Sequence, residues 1–487
     1  MKTYSCAELV RLGRQLPTPF CVEIAEEESL EKIEITEILR IVPQKRFIAI
    51  ANWRGINVIV KLFFGPLHWK RNLAKDISGI NLLRERNLRT PSLLHNAPAA
   101  GNHGAALIMQ YISDGKTFTE CMQNAVTNQE RHSLLSLATR SIATCHRFGL
   151  RQTDVHMDNF LLSDKEVYYL DGGQIQVQGE SLEEELAYDN FALFLAQFEV
   201  ENDEAIGDLL NEYHLENKTC SAPVHADILS RVKRARNLRL INYEKKLLRS
   251  TTANRKIRSL DKFVVYDREI HSPLLEDFIS DPNRYIVKDK FMKDGNASTV
   301  AELFLDGKGY VLKRYNFRSL WHSIKYQFKP SRAARSWCNA SILSMLGAYT
   351  PRPYLFIEER FAGFLKRKAY FLAEKIEAVN LWELTEKEEF STAELSKITA
   401  SFRKLFNIMI DYKISHGDMK ATNFIFYEDK LLVLDLDVMK RHGSKRSFYR
   451  AIQKDLDRFM KNWRESPHEE EFRKVIDELK LPAEPNF

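Results

Sequence analysis

Across 487 residues this chain has no apolar run long enough to span a bilayer. Its first twenty residues, MKTYSCAELVRLGRQLPTPF, lack the roughly 7–15-residue apolar core of a signal peptide. The expectation is a protein that stays in the cytosol. Cysteine is sparse: six residues with no CxxC pair and no regular spacing. That argues against a zinc site built on paired Cys/His ligands and against a disulfide framework. A chain of this size buries enough surface to need no covalent staples, so reduced, mostly buried thiols are expected. Glycine-rich phosphate loops of the G-x-G-x-x-G type are also missing.

What is present suits a globular protein, 44 % hydrophobic and 28 % charged. The length predicts two or more domains. Net charge is only +6, but it is concentrated. Arg231 to Arg258 holds one acid, Glu244, and Leu312 to Arg335 holds none. Such stretches are commonly solvated faces. The sharper readings are contact with an anionic membrane surface or a phosphorylated partner. No nucleic-acid motif accompanies the charge, so nucleic acid is not expected as a partner.

The chain contains an internal repeat. Asp154, Asn159 and Asp171 recur as Asp418, Asn423 and Asp435, each 264 residues later. A single D-x-x-x-x-N is expected about once by chance in such a chain. Two of them, each followed at the same distance by an Asp that ends a VYYL or LLVL run, point to two copies of one domain. RTPSLL from Arg89 and YTPRPYL from Tyr349 align at an offset of 260. Upstream of each lies an apolar strand pattern with one lysine, Lys61 in INVIVKLFF and Lys313 in GYVLKRYN. Amphipathic helical patterns precede and follow both polar clusters. The predicted order is an α+β, two-lobed domain in tandem, residues 1–248 and 262–487, joined by a linker at 249–261.

A strand Lys, a loop Asp with an Asn five residues on, and a second loop Asp form a set suited to phosphoryl transfer. The lysine can neutralise nucleotide phosphates, and the first Asp can accept the proton of an attacking hydroxyl. The Asn and the last Asp offer hard oxygen ligands for Mg²⁺. Lysine and metal then stabilise charge on the transferring group.

Both halves resemble the protein-kinase-like fold. The second, through KDGNASTVAELFLDGKGYVLKRYN, PSRAARSWCNASILSMLGAYTPRP, HGDMKATNF and LDLDVMK, resembles the bacterial lipopolysaccharide core kinases of the Kdo and heptose kinase family. The first, through LRQTDVHMDNFLL and YYLDGG, is a looser match. The resemblance implies ATP and Mg²⁺ as cofactors. Lys313 and Lys61 would bind nucleotide, and Asp418 and Asp154 would be the bases. Asn423 with Asp435, and Asn159 with Asp171, would hold metal. Lys420 and His156 would steady the γ-phosphate. Gly295, Ser298 and Thr299 would cover the phosphates. It further implies a sugar hydroxyl of the lipopolysaccharide inner core, heptose or Kdo, as acceptor. The place implied is the cytoplasmic face of the inner membrane, with the protein peripheral to that anionic surface.

The departures are specific. The first half shows no equivalent of the Gly295 loop. Counting back 14 from each Thr-Pro reaches Asp76 in the first half and Ser336 in the second, where a kinase carries the Glu that pairs with its lysine. Asp76 is one methylene short for that task, and Ser336 cannot make an ion pair; Asp435 is an alternative partner for Lys313. Gly417 and Thr153 replace the His-Arg-Asp arginine, and no Ala-Pro-Glu follows either cluster. Asp437 is read as a second metal ligand or a solvent-facing acid. Asp189 and Asp455 are read as braces of the polar loops or as exposed helix acids. Two other function classes remain open. One is a pseudokinase scaffold or regulator of core assembly. The other is a small-molecule kinase of the aminoglycoside or choline type, which the KRYN and SRAARSW wording disfavours. Nucleotide binding by each half separates the first of these.

Overall fold

The computed structural model describes residues 1–27, 29–221, 225–316, 329–363, 365–387 and 390–481. The acid-poor stretch Leu312 to Arg335 therefore lies outside the described residues over 317–328. The chain mixes helix and sheet and divides into two compact units, Met1–Gln197 with Glu204–Ala235, and Phe198–Asp203 with Arg236–Phe487. The expected linker 249–261 contains an edge strand instead, Asn254–Arg258, whose backbone pairs with Lys262–Asp267. Lack of apolar periodicity there reflects an edge position, half exposed, and not an absence of structure.

The first unit opens on a six-stranded antiparallel sheet. Its order is Phe20–Ala25, Leu30–Val42, Arg46–Trp53, Ile56–Phe64, Gly104–Gln110, Leu93–Pro98. RFIAIANW buries every second residue, Phe47, Ala49, Ala51 and Trp53, as a strand with one core face must. The lysine strand INVIVKLFF is buried on both faces from Val60 onward. One face joins the sheet core, and on the other Phe63 packs with Ile80 of the Trp69–Glu85 helix. The Asn128–Arg147 helix follows, its start fixed by a Thr127/Glu130 capping box. Next come Leu150–Gln152, the polar loop, and a hairpin of Phe160–Ser163 with Glu166–Tyr169. A single 3₁₀ turn, Gly172–Gln174, leads on toward the Glu184–Leu195 helix.

The second unit has a seven-stranded sheet. Its order is Asn254–Arg258, Lys262–Asp267, Pro353–Phe361, Leu365–Glu374, Lys308–Tyr315, Ser298–Leu305, Phe291–Asp294. The Arg332–Met345 helix crosses it, and the Thr392–Asp411 helix, the polar loop, the Phe424–Tyr427/Lys430–Val433 hairpin and the Lys445–Met460 helix follow.

The pairing registers of the two units correspond residue for residue around the lysines. Ile48 faces Lys61 and Arg46 faces Phe63; Val300 faces Lys313 and Ser298 faces Tyr315, all at an offset of 252. Leu93 pairs with Met109 and His95 with Ile108, across a bulge. Pro353 pairs with Ala373 and Leu355 with Leu372, across a bulge at the same place. A bulge re-aims a strand and its register is strongly specified where one face is buried.

Candidate functional site

In each unit the polar loop is built the same way. The Asn159 side-chain amide donates to the Asp154 carbonyl at 2.6 Å, and that of Asn423 to the Asp418 carbonyl at 2.9 Å. Leu170 N–H donates to the Asn159 carbonyl and Leu434 N–H to that of Asn423, both at 2.8 Å. These bonds fasten the base-bearing loop to the hairpin. Asp171 and Asp435 then sit at φ 56° and 53°, a left-handed conformation uncommon outside Gly, Asn and Asp. Held this way, each hairpin Asp approaches its lysine. Lys313 Nζ lies 2.6 Å from Asp435 Oδ1, and Lys61 Nζ lies 3.6 Å from Asp171 Oδ1.

The acid partners of the two lysines come from different elements. In the first unit Lys61 donates to Asp76 Oδ1 at 2.8 Å, the ion pair expected across the strand and helix. Both are buried, Lys61 5 % and Asp76 0 % exposed. Glycine explains how the shorter carboxylate reaches. A Cβ on Gly79 would lie 1.8 Å from the Gly172 carbonyl oxygen, and one on Gly172 would lie 2.5 Å from that of Asp76. Two side chains are missing at the contact, so the helix backbone rests on the loop and brings Asp76 inward. In the second unit Asn339 and Leu436 stand at these positions, and Asn339 bridges to the Leu436 and Met439 carbonyls at 2.7 and 3.0 Å. Ser336 bonds the Tyr315 hydroxyl at 2.9 Å instead of any lysine.

Asp437 is not a solvent-facing acid. It is 1 % exposed and receives Arg332 Nε at 2.9 Å, with Lys313 Nζ at 3.8 Å. Arg332 starts the helix that carries Ser336. The first unit also holds a second cation: Arg46 Nη1 lies 3.6 Å from Asp76 Oδ2 and 3.9 Å from Asp171 Oδ1. Each cluster therefore combines two cations and two carboxylates. Sequence reasoning missed Arg46 and Arg332. Arg46 could have been found from its place two residues from the partner of Lys61, and Arg332 from its place four before Ser336.

The loop cradle is narrower than expected. Gly295 N–H donates to the Ser298 carbonyl at 3.1 Å, closing the turn between Phe291–Asp294 and Ser298–Leu305. Ser298 shares the sheet face of Lys313, because residues facing across a pair and two apart point the same way. Thr299 lies on the opposite face, 1 % exposed, donating to Asp294 Oδ1 at 3.0 Å and accepting from Arg314 at 3.1 Å. Its hydroxyl fastens the turn and is not placed for a phosphate. The first unit's counterpart is the Pro43–Lys45 connection, which has no glycine.

The supports of the two bases differ. Asp455 accepts the His416 and Gly417 N–H groups at 2.7 and 2.9 Å, so it braces the loop. Burial pushes its carboxyl up to about 6. Asp189 has no such role; it is exposed and paired with Arg231. Its neighbour Asn190 donates to the Gln152 carbonyl at 2.9 Å. His416 Nε2 donates to the Leu434 carbonyl at 3.0 Å while Nδ1 accepts the Asp418 N–H at 3.2 Å. Burial holds this imidazole below its ordinary range, in keeping with the neutral form that pattern needs. Gln152 makes the corresponding bond to the Leu170 carbonyl at 3.2 Å, but its Oε1 is buried with no hydrogen-bond partner. Lys420 Nζ lies 3.0 Å from Asp418 Oδ2 and Arg458 Nε 3.9 Å from Oδ1. His156 instead accepts from the Asp158 N–H at 3.2 Å and caps its own turn.

Oxygen donors for Mg²⁺ are present in both units as Asn and Asp. Asp171 Oδ1 is buried and accepts no hydrogen bond, although Lys61 Nζ and Arg46 Nη1 face it at 3.6 and 3.9 Å, so a metal there would share it with both cations. Asp435 is held below the usual carboxylate range, where burial, which raises it, is outweighed by the Lys313 charge. Among the described residues no three His, Cys, Asp or Glu gather as a metal cage. Mg²⁺ sites that rely on substrate phosphates need only one or two carboxylates.

Comparison with known proteins separates the units. Residues 285–476 match the model of the lipopolysaccharide kinase (Kdo/WaaP) family. The second unit carries a domain of the Kdo/WaaP family. The match spans Lys313, Asp418, Lys420, Asn423 and Asp435, together with the Arg332–Asp437 ion pair. A solved structure titled "WaaP in complex with acyl carrier protein" is similar over 44 % of this chain and 92 % of that one, at 15 % identity and a TM-score of 0.28. No curated protein matches the chain.

Proposed function

We propose that the protein is an ATP- and Mg²⁺-dependent phosphotransferase acting on a heptose or Kdo hydroxyl of the lipopolysaccharide inner core, with the second unit carrying the chemistry. The observation that supports this most is the coincidence of the Kdo/WaaP family match with an assembled Lys313–Asp435–Asn423–Asp418 set. In this reading Asp418 takes the proton of the sugar hydroxyl, and Lys420 and Arg458 sit where negative charge gathers. Lys313, kept beside Asp435 and Asp437, binds nucleotide phosphates. Asn423 and Asp435 would hold Mg²⁺, which when bound neutralises phosphate charge.

The first unit, of residues 1–248 in the tandem reading, is a second kinase-like domain whose turnover is weak or absent. Its shared registers support that fold, and the unpartnered Gln152 Oε1 and missing glycine loop support the loss. A pseudokinase role in core assembly fits that unit.

No helix among the described residues is long and apolar enough to cross a membrane. We place the protein at the cytoplasmic face of the inner membrane through its basic surface, where each nearby Lys or Arg adds roughly 1 kcal/mol on anionic lipid. Part of the stretch from Arg231 is committed elsewhere: Arg231 bridges Glu185, Asp189 and Asp227, and Arg236, 1 % exposed, pairs with Asp203. The test of the function is mass spectrometry of core oligosaccharide from cells with and without the intact gene, alongside transfer from ATP to dephosphorylated core in vitro. A missing phosphate on heptose or Kdo, restored in vitro, is expected. An unchanged core would overturn the proposal.

A further inference from the structure

A cavity of about 490 Å³ opens in the first unit between the Pro43–Lys45 connection and the start of the Trp69–Glu85 helix. Lys45, His68, Arg71 and Lys75 line it beside Pro43 and Leu67, and no lining residue is acidic. The first turn of that helix carries no acid either. Arg71 and Lys75 stand one turn apart on one helix face, so their like charges repel, and Lys45 faces them from the connection. Three permanent cations around one volume of this size, without a carboxylate, form a positive focus in an otherwise mixed-charge surface.

The cavity is lined by chain neighbours of the lysine cluster already described, though no member of the cluster lines it. Lys45 and Lys75 each immediately precede a member of the Arg46–Asp76 pair. In the second unit the corresponding connection is Gly295–Ala297, whose role would be to offer backbone N–H groups to phosphates. Side-chain cations in the first unit stand where that backbone donor set is missing.

We infer that the Lys45/His68/Arg71/Lys75 cavity is an anion site that takes a phosphate-bearing ligand. The chemistry is shared by two sources, the triphosphate of a nucleotide and a phosphate already on a sugar. Three cations match a multiply charged phosphate, and Arg71 adds paired N–H donors to the point charges of the lysines. The inference does not require the first unit to turn over, and it stands or falls separately from the kinase reading.

The test uses the full chain and a local readout. Lys45 and Lys75 are exposed, as are Lys165 and Lys218 elsewhere in the same unit. An amine-acetylating reagent is applied with and without inorganic tripolyphosphate, and each lysine's modification rate is read by peptide mass spectrometry. Slowing of at least about fivefold at Lys45 and Lys75, with no change at Lys165 and Lys218, is expected. The Arg71→Ala variant should raise the tripolyphosphate concentration needed for half protection at least about tenfold, with an unchanged circular dichroism spectrum. Repeating the protection with a nucleoside triphosphate and with a hexose phosphate tells the sources apart, since the occupant protects at the lower concentration. Equal protection of all four lysines, or none at Lys45 and Lys75, would overturn the inference.

Discussion

The two units hold the same charges by different means. Around Lys61 the acid partner rises from the helix as Asp76, and the extra cation, Arg46, comes from a strand. Around Lys313 the helix gives the cation, Arg332, and the extra acid, Asp437, comes from the segment after the hairpin. What is retained is a lysine held between carboxylates and a balanced cluster, which burial demands of any charged group kept from water. The spacing between helix and loop decides which solution fits. Gly79 against Gly172 admits a short acid, whereas Asn339 against Leu436 holds the helix through hydrogen bonds and leaves the acid to the loop.

The comparison can be broken most sharply at the bases and metal ligands. Asp418→Asn and Asp435→Asn should each lower phosphoryl transfer by at least ~10²-fold with folding retained; near-normal turnover in either would remove the second unit from the chemistry. Next is the cation exchange. Arg332→Ala should lower transfer by about tenfold, because Asp437, left buried without its main cation, would compete with Asp435 for Lys313, an effect taken to be as large as losing a partner one step behind a ligand. Rates equal to those of the parent protein would show that Asp437 needs no helix partner. In the first unit, Gly79→Ala should destabilise by about 1–3 kcal/mol through overpacking against Gly172. Adding Asp76→Glu should recover part of the loss in thermal unfolding, since one more methylene spans a wider gap. An unshifted transition in Gly79→Ala would mean the close approach is not what positions Asp76.

The smallest effect concerns pH. The Asp455 carboxyl is raised from 3.8 to about 6 by burial. A raised carboxyl binds its proton more tightly in the folded protein, so its contribution to stability is full below the ordinary value and is lost as pH rises through about 6. Activity has the opposite sign: protonation weakens the bonds to the His416 and Gly417 N–H groups. Transfer should therefore fall as pH drops through about 6, read from a pH–rate profile of the full chain. A profile flat to pH 5 would remove Asp455 from loop control.

Much of the site was legible because a repeat compares the chain with itself. The offset of 264 carried the loop Asp, the Asn and the hairpin Asp, and counting from Thr-Pro reached Asp76 and Ser336. Asp435 as a partner for Lys313 followed from the kinase-like resemblance, which sets that Asp beside the nucleotide, once the helix was seen to offer no acid. What stayed hidden depends on distances that spacing does not report. Thr299 looked like a phosphate donor until strand pairing put it on the far face. Asp437 was read as either a metal ligand or a solvent-facing acid because its partner, Arg332, lies 105 residues away. The linker reading of 249–261 failed because an edge strand needs little apolar alternation.

Asp154→Ala and Asp418→Ala, made separately in the full-length protein and compared in one phosphoryl-transfer assay, test the central claim that the second unit carries the chemistry. Asp418→Ala should abolish transfer and Asp154→Ala should leave most of it. Loss in Asp154→Ala with transfer intact in Asp418→Ala would contradict the account and assign the reaction to the first unit.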